Sequence, residues 1–157
     1  MGRVEEVYRE VQAAFAAEFG RPLADALVPY RMEDAEIVVV SMGTTGSTAR
    51  AAVDAARARG IKAGALRVRL FRPLPEAGLR RALAGKRHVA VLDRDLSPGL
   101  GGILWGEIRA CAAPGAVVQN YLVGLGGGDI RPEQIERILG ETARRDHAAE
   151  PIFVEVG

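Results

Sequence analysis

The chain alternates short apolar runs with glycine-containing turns and amphipathic segments, and the order of these pieces predicts its secondary structure. A continuous apolar run at 37–40 is typical of a parallel strand covered on both faces. Similar runs follow at 88–92 and 117–123, whereas residues 65–70 and 152–156 alternate apolar with polar positions. Helical spacing separates these runs. The sequence therefore predicts a leading helix, four βα units and a last edge strand.

Connections between parallel strands are right-handed and place helices on both faces of a sheet. The sequence therefore predicts the α/β class, as a three-layer α/β/α sandwich around a mostly parallel five-stranded sheet. The 157 residues, nearly half of them apolar, are enough for one domain with its own core. We expect this α/β domain at 35–157, after a leading segment at 1–34.

The leading segment is interpreted as an amphipathic helix followed by a linker. The apolar positions with helical spacing are Val4, Val7, Tyr8, Val11, Phe15 and Phe19. Gly20 is a natural C-cap, and Arg21–Asp34 holds two prolines and no clear period. Two roles for the helix stay open, namely packing on its own sheet and contact with a neighbouring domain.

Composition narrows the choice of partner and compartment. The formal net charge is +1 and no basic stripe is interleaved with aromatic residues, which argues against nucleic acid. The single cysteine, Cys111, excludes a disulfide within the chain or a cluster held by several thiolates, and favours the reducing cytoplasm. We expect neither a signal peptide nor a membrane span, because the charged N-terminus lacks an apolar core and no apolar run is long enough.

The loop after the first strand lies where α/β proteins bind phosphate, at the start of a helix. Its residues are Gly43, Thr44, Thr45, Gly46 and Ser47. It lacks the lysine of a P-loop and the three spaced glycines of a dinucleotide site. A structural turn with capping hydroxyls is therefore the favoured interpretation. Binding of a nucleotide or another anion at this loop is the alternative.

Charged side chains follow two other strands. Asp93, Arg94 and Asp95 end the third strand, where such folds place chemistry, although a local ion pair is the favoured interpretation. Arg67 and Arg69 alternate along the second strand, which indicates either a solvated face or an interface with an acidic patch.

The remaining chemistry-bearing residues supply no complete catalytic set. His88 begins a strand and therefore lies at the wrong edge of the sheet, and His147 lies in a polar tail. Cys111 falls on the apolar stripe of a helix and is interpreted as a core residue. The sequence therefore predicts one piece of a larger assembly.

Four stretches, at 30–44, 66–75, 91–102 and 123–130, resemble in order and spacing the C-terminal part of the α subunit of pyruvate:ferredoxin oxidoreductase and its 2-oxoacid relatives. The resemblance covers essentially the whole chain. It implies a transketolase C-terminal-like domain with a mostly parallel five-stranded sheet and one antiparallel edge strand. Transketolase and the pyruvate dehydrogenase β chain share this fold, but the last two stretches favour the ferredoxin-linked branch.

The resemblance also implies the setting in which the domain works. Enzymes of this family oxidise a 2-oxoacid, here expected to be pyruvate, with coenzyme A to acyl-CoA, carbon dioxide and reduced ferredoxin. They use thiamine diphosphate, Mg and [4Fe-4S] clusters, and we expect none of these on this chain. The expected partners are pyrimidine-binding, thiamine diphosphate-binding and ferredoxin-like subunits or domains.

We therefore predict a non-catalytic structural or assembly domain, and the alternative is a free-standing nucleotide- or anion-binding module. The candidate subunit contacts are Arg67, Arg69, Arg72, Asp93 and Arg94.

Overall fold

The computed structural model describes residues 3–155, which form one sheet flanked by helices. The helices are α1 (Val4–Phe19), α2 (Thr45–Ala58), α3 (Glu76–Leu83), α4 (Ile103–Cys111) and α5 (Pro132–Thr142). The strands are β1 (Leu27–Tyr30), β2 (Ile37–Met42), β3 (Ala63–Val68), β4 (His88–Asp93), β5 (Val117–Leu122) and β6 (Ile152–Phe153).

The strand order across the sheet is β1-β3-β2-β4-β5-β6. β1 pairs with β3 in the antiparallel sense, and every other pairing is parallel. The α/β class, the mostly parallel sheet and the single antiparallel edge strand are confirmed. The strand number was wrong by one, because the sheet has six strands and the antiparallel one is β1.

β1 lies inside the stretch that the sequence indicated to be a linker. The sequence did not predict this strand because Pro29 supplies no N–H to a β-ladder, which argues against a central strand. At a sheet edge that loss is tolerated, and Pro29 takes its place opposite Leu66 in the register. β1 precedes residue 35, where the sequence placed the start of the α/β domain.

Helices cover both faces of the sheet, as the sandwich requires. On one face, α2 and α5 pack against the strands through small and branched side chains, including Ala52, Val53 and Ile138. On the other face, α3 and α4 contribute Leu79 and Ile108 to a second core. The alanines of α2 allow the close helix–sheet approach that its sequence predicts.

α1 stands apart from both layers. It ends at Gly20 in the left-handed conformation, as predicted, with φ of 63°. None of its residues is buried, and its Tyr8 and Gln12 side chains donate hydrogen bonds to the backbone at Ala24. Of the two roles that the sequence left open, packing on its own sheet is therefore wrong.

Two strand boundaries also differ from the prediction. β3 spans 63–68 rather than 65–70, and it has no wet face, because β1 covers its edge and α2 its surface. β6 is confirmed as an edge strand but has two residues, and it runs parallel to β5. The predicted strand extended to Val156, which lies outside the described residues.

Candidate functional site

The parallel strands end together at one edge of the sheet, which we call the carboxyl edge. It consists of the loops at 42–45, 69–75, 94–102 and 123–131, which follow β2, β3, β4 and β5. The opposite amino edge consists of the loops at 31–36, 59–62 and 84–87. Ligands of open α/β sheets bind at carboxyl edges, so the candidate site is sought there.

A buried polar cluster lies at the centre of the carboxyl edge. Asp93 is 2% exposed, and its carboxylate accepts hydrogen bonds from the backbone of Leu104 (2.8 Å) and Trp105 (3.1 Å). The Asn120 side chain donates to the same carboxylate at 2.9 Å and accepts from the Gly102 backbone N–H at 2.9 Å. Asp93 and Asn120 thus satisfy the first N–H groups of α4.

Glycine is required where α4 begins, because the carboxylate occupies the space of a side chain. A Cβ on Gly102 would collide with the Asp93 carboxyl group. Gly101 has φ of 90°, and a Cβ there would meet the Asn120 side-chain oxygen. The glycine-rich loop is therefore a close fit to the polar cluster. The predicted local ion pair of Asp93 was wrong, since its carboxylate caps a helix instead.

Burial raises the pKa of Asp93 to about 6. The nearby carboxylate of Asp95 adds to the increase, whereas the N–H donors of Leu104 and Trp105 oppose it by stabilising the charged form. The cluster therefore changes its charge close to neutral pH. Because three structural donors hold its carboxylate, two of them from the first turn of α4, we assign Asp93 to stabilising α4.

The loop between β2 and α2 begins with Gly43 in the left-handed conformation, with φ of 59°. Thr44 is the N-cap of α2 and makes no side-chain capping hydrogen bond, so the predicted capping hydroxyls were wrong. Gly46 has a different explanation, because a Cβ there would lie 2.5 Å from the Arg67 side chain, which crosses the first turn of α2. The second glycine of this loop is thus explained by contacts within the chain.

The structure does not bring the five candidate contact residues together. Arg67 lies against α2, and Arg69 donates a hydrogen bond to the Ala24 carbonyl beside β1. Arg72 forms an ion pair with Glu107 at 2.7 Å, and exposed Arg94 donates one 3.4 Å hydrogen bond to the Gly124 carbonyl. Of the five, Arg69, Arg72 and Arg94 are exposed in loops of the carboxyl edge, while Asp93 is enclosed.

A cavity of about 450 Å³ opens between the loop after β2 and the loop after β4. Its walls are mainly apolar and include Met42, Phe71 and Ile103, and its polar residues include Arg94 and Asp95. Asp95 is the polar feature that remains unexplained, because its Oδ2 is buried without a hydrogen-bond partner. The cavity is thus an apolar recess beside two acids, Asp93 and Asp95, and one base, Arg94.

The metal-ligating side chains of residues 3–155 are dispersed, because no three His, Cys, Asp or Glu side chains in this part of the chain are grouped to hold a metal ion. Cys111 is buried, and burial raises the pKa of its thiol. His88 lies at the amino edge, with Nε2 3.0 Å from the Arg145 carbonyl oxygen. We therefore derive no chemistry through an iron–sulfur cluster or magnesium.

The amino edge is built from paired charges. Arg57 contacts Asp34 at 2.6 Å and Lys62 contacts Glu36 at 2.8 Å. The hydrogen bonds to these cations lower the pKa of both carboxyl groups, and the bond to Glu36 raises the pKa of Lys62. Lys86 donates to the carbonyls of Met32 and Ala35. These four charged side chains of the amino edge are therefore paired within the chain.

The fold and its site define an α/β domain whose parallel strands end in glycine-rich loops around a buried aspartate. The model of the family described as pyruvate:ferredoxin oxidoreductase core domain II matches residues 35–135. Pyruvate synthase subunit PorA of Thermotoga maritima is 39% identical over 140 residues, which are 87% of this chain and 36% of that protein. Ketoisovalerate oxidoreductase subunit VorA of Pyrococcus abyssi is 35% identical, covering 85% of this chain and 35% of that protein. The chain therefore belongs to the core domain II family of pyruvate:ferredoxin oxidoreductases.

A solved structure supports the same fold. The 2-oxoglutarate:ferredoxin oxidoreductase from Magnetococcus marinus superposes with a TM-score of 0.62 at 22% identity, covering 83% of this chain and 21% of that chain. The predicted resemblance to the 2-oxoacid:ferredoxin oxidoreductase α subunit is confirmed, and so is the choice of the ferredoxin-linked branch. The chain spans about a third of the length of the curated relatives it matches.

The structure adds functional residues that the sequence did not single out. Gln119 and Asn120 are buried in the middle of β5, and Gln119 holds the segment before β6 by accepting from Ala149 and donating to Glu150. Two amides inside an otherwise apolar strand were the available signal, because buried polar groups need partners. Met42 and Ile103 gave no such signal, since an exposed apolar residue resembles a core residue in sequence.

Proposed function

We propose that this chain is a non-catalytic assembly domain of a 2-oxoacid:ferredoxin oxidoreductase. The observation that carries the proposal is the use of Asp93. At the position where α/β enzymes place reactive groups, its carboxylate is enclosed and holds α4 and Asn120. The holoenzyme would produce acyl-CoA, carbon dioxide and reduced ferredoxin, with thiamine diphosphate, Mg, [4Fe-4S] clusters and coenzyme A bound by other domains or subunits.

The relatives support pyruvate as the substrate of the whole enzyme. Pyruvate synthase subunits reach 39% identity, and ketoisovalerate oxidoreductase subunits reach 36%. Pyrimidine-binding, thiamine diphosphate-binding and ferredoxin-like partners follow from the same relationship. No helix between residues 3 and 155 is long and apolar enough to cross a membrane. We propose a cytoplasmic location, as the single cysteine suggests.

Calorimetry on the purified chain tests the non-catalytic role. We expect no binding of thiamine diphosphate with Mg²⁺ at millimolar ligand, because the described residues present no grouped metal ligands. Reconstitution with the other subunits should restore pyruvate-dependent ferredoxin reduction only when this chain is present. Tight binding of thiamine diphosphate by the chain alone would contradict the proposal.

A second candidate function is anion binding at Gly43–Ser47. The observation in its favour is that α2 begins without a side-chain cap beside a recess of about 290 Å³, which Thr48 and Arg94 also line. A thermal-shift series with inorganic phosphate, nucleotides and coenzyme A separates the two candidates. The assembly role predicts no shift at millimolar ligand, whereas a saturable shift that Arg94→Gln abolishes would favour anion binding.

A further inference from the structure

Exposed large apolar side chains are concentrated in two places in the described chain. Four lie on α1, and the others lie at or beside the carboxyl edge. The α1 group is Val4, Val7, Val11 and Phe19, and the second group is Met42, Leu96, Leu100, Ile103, Leu125 and Phe153. Single exposed apolar residues need no explanation, but a cluster from several loops marks an interaction surface.

The carboxyl edge also offers a recess, which α1 lacks among the cavities of the described residues. Met42 and Ile103 are 38% and 49% exposed, and both line the cavity of about 450 Å³. Leu96 and Leu100 continue the apolar surface into a neighbouring groove that reaches Phe153. The strongest contacts of protein interfaces are large side chains buried in pockets of this kind. The recess therefore fits an apolar side chain from a partner.

The polar groups around the recess indicate what flanks that side chain. Arg94 is exposed and forms no ion pair with any residue between 3 and 155. The start of α2, which contributes Thr44 and Thr45 to the wall, carries partial positive charge from its N–H groups. A carboxylate on the partner would be stabilised by both. Asp95 Oδ2 also lies beside the recess, buried and without a hydrogen-bond donor among the described residues.

We propose that the carboxyl edge docks the remaining part of the family's α subunit, through a segment that carries an apolar side chain beside an acidic one. The apolar residue fills the recess at Ile103, and the acidic residue pairs with Arg94. This inference rests on the proposed assembly function. About two thirds of each matched relative lies outside the aligned segment, so the α subunit holds enough further chain to cover this surface.

The test is co-purification of this chain with the remaining α-subunit polypeptide and, separately, with the other subunits of the oxidoreductase. Ile103→Glu places a charge in the recess, and Arg94→Glu reverses the unpaired cation. Val11→Glu is the matched control, because Val11 is 54% exposed and lies on α1. Arg94→Lys keeps the positive charge. Circular dichroism of each isolated variant establishes that it folds.

We expect Ile103→Glu and Arg94→Glu to weaken binding of the α-subunit remainder at least tenfold, with Arg94→Lys and Val11→Glu close to the wild type. If Ile103→Glu does not fold, the comparison of Arg94→Glu with Arg94→Lys is sufficient for the test. The inference would be overturned if Arg94→Glu bound the α-subunit remainder as tightly as the wild type does. It would also be overturned if only Val11→Glu lost binding. In both cases the proposed assembly function stands. Binding to the other subunits but not to the α-subunit remainder would overturn the choice of partner. A wild-type chain that joins no component would instead remove the proposed function itself.

Discussion

The two edges of the sheet differ in the groups that they leave exposed without a partner in the chain. At the amino edge, Arg57 pairs with Asp34 and Lys62 with Glu36, all within the chain. At the carboxyl edge, Asp93 is enclosed and Arg94 has no ion-pair partner among the described residues, while apolar side chains are exposed around them. The difference indicates which edge is complete in the isolated chain. The amino edge pairs these four charges internally, and the carboxyl edge retains an exposed cation and exposed apolar side chains that a partner would cover.

The largest effect that separates the edges is the dependence of stability on pH. The folded pKa of Asp93 is about 6, against 3.8 for a free aspartate, so the folded state holds the proton more tightly. The stabilisation that the protonated Asp93 side chain contributes is therefore fully present below about pH 4 and is lost as the pH rises through 6. The rise of the Asp93 pKa from 3.8 to about 6 corresponds to about 3 kcal/mol of free energy of unfolding.

Urea unfolding at pH 4 to 7 measures this effect as the difference between the wild type and Asp93→Asn. We expect the stability of the wild type, relative to the variant, to fall by about 3 kcal/mol over this range. The paired acids of the amino edge have lowered pKa values, so their contribution has the opposite sign and is lost as the pH falls below about 4. A pH-independent difference would contradict the assignment to Asp93.

The second effect is the loss of the α4 cap in Asp93→Ala. Removing the carboxyl group leaves the α4 amides and the Asn120 side chain without acceptors, which costs about 2 kcal/mol. Chemical denaturation at pH 4, where the folded state holds Asp93 protonated and no buried charge is relieved, should show this loss. Asp34→Ala at the amino edge is the control, and its midpoint should stay near that of the wild type, because Asp34 is exposed and Arg57 keeps its hydrogen bonds to the Arg31 and Ala63 carbonyls.

The third effect tests the explanation of Gly46. Gly46→Ala forces the Arg67 side chain from its path across α2, so we expect a loss of about 1 kcal/mol in the wild-type background. In the Arg67→Ala background the same change should stabilise the protein by about 0.5 kcal/mol, because alanine favours helix over glycine. Thermal unfolding of the four proteins completes this cycle. Equal effects in both backgrounds would show that packing of the Arg67 side chain is not the reason why position 46 requires glycine.

The smallest effect is predicted for Glu36→Gln at the amino edge. This substitution removes one side of an exposed ion pair, and water and salt already screen such pairs. The unfolding midpoint should change little at low salt and not at all at 1 M NaCl. A large, salt-resistant loss would mean that the amino edge is not completed by exposed pairs alone.

Much of the fold can be predicted from hydrophobic patterns and glycine positions in the sequence. Continuous apolar runs located β2 and β4, and the αL glycine at residue 20 marked the end of α1. β1 was missed because Pro29 removes a ladder donor, a loss that only an edge position tolerates. The place of β1 in the sheet depends on pairing with β3, which lies more than thirty residues away.

The site was less accessible to sequence reasoning, because its meaning depends on contacts between distant loops. The sequence marks Asp93 as a charge at a strand end and places Gly102 in the stretch 91–102, but only the fold shows that the carboxyl group of Asp93 fills the space left by Gly102. Likewise, the position of the loop at Gly43–Ser47 before a helix left anion binding open as the alternative to a structural turn, and only the fold shows that Gly46 accommodates a side chain from β3. Residue patterns locate such loops but do not specify what they touch.

Hydrogen exchange of the chain, free and assembled in the oxidoreductase, tests the contrast between the edges most directly. We predict that assembly slows exchange at 42–48 and 94–104, on the carboxyl edge, and leaves the backbone at 31–36 and 59–62 unchanged. Protection confined to the amino edge, or an identical pattern in the free and assembled chain, would contradict the account.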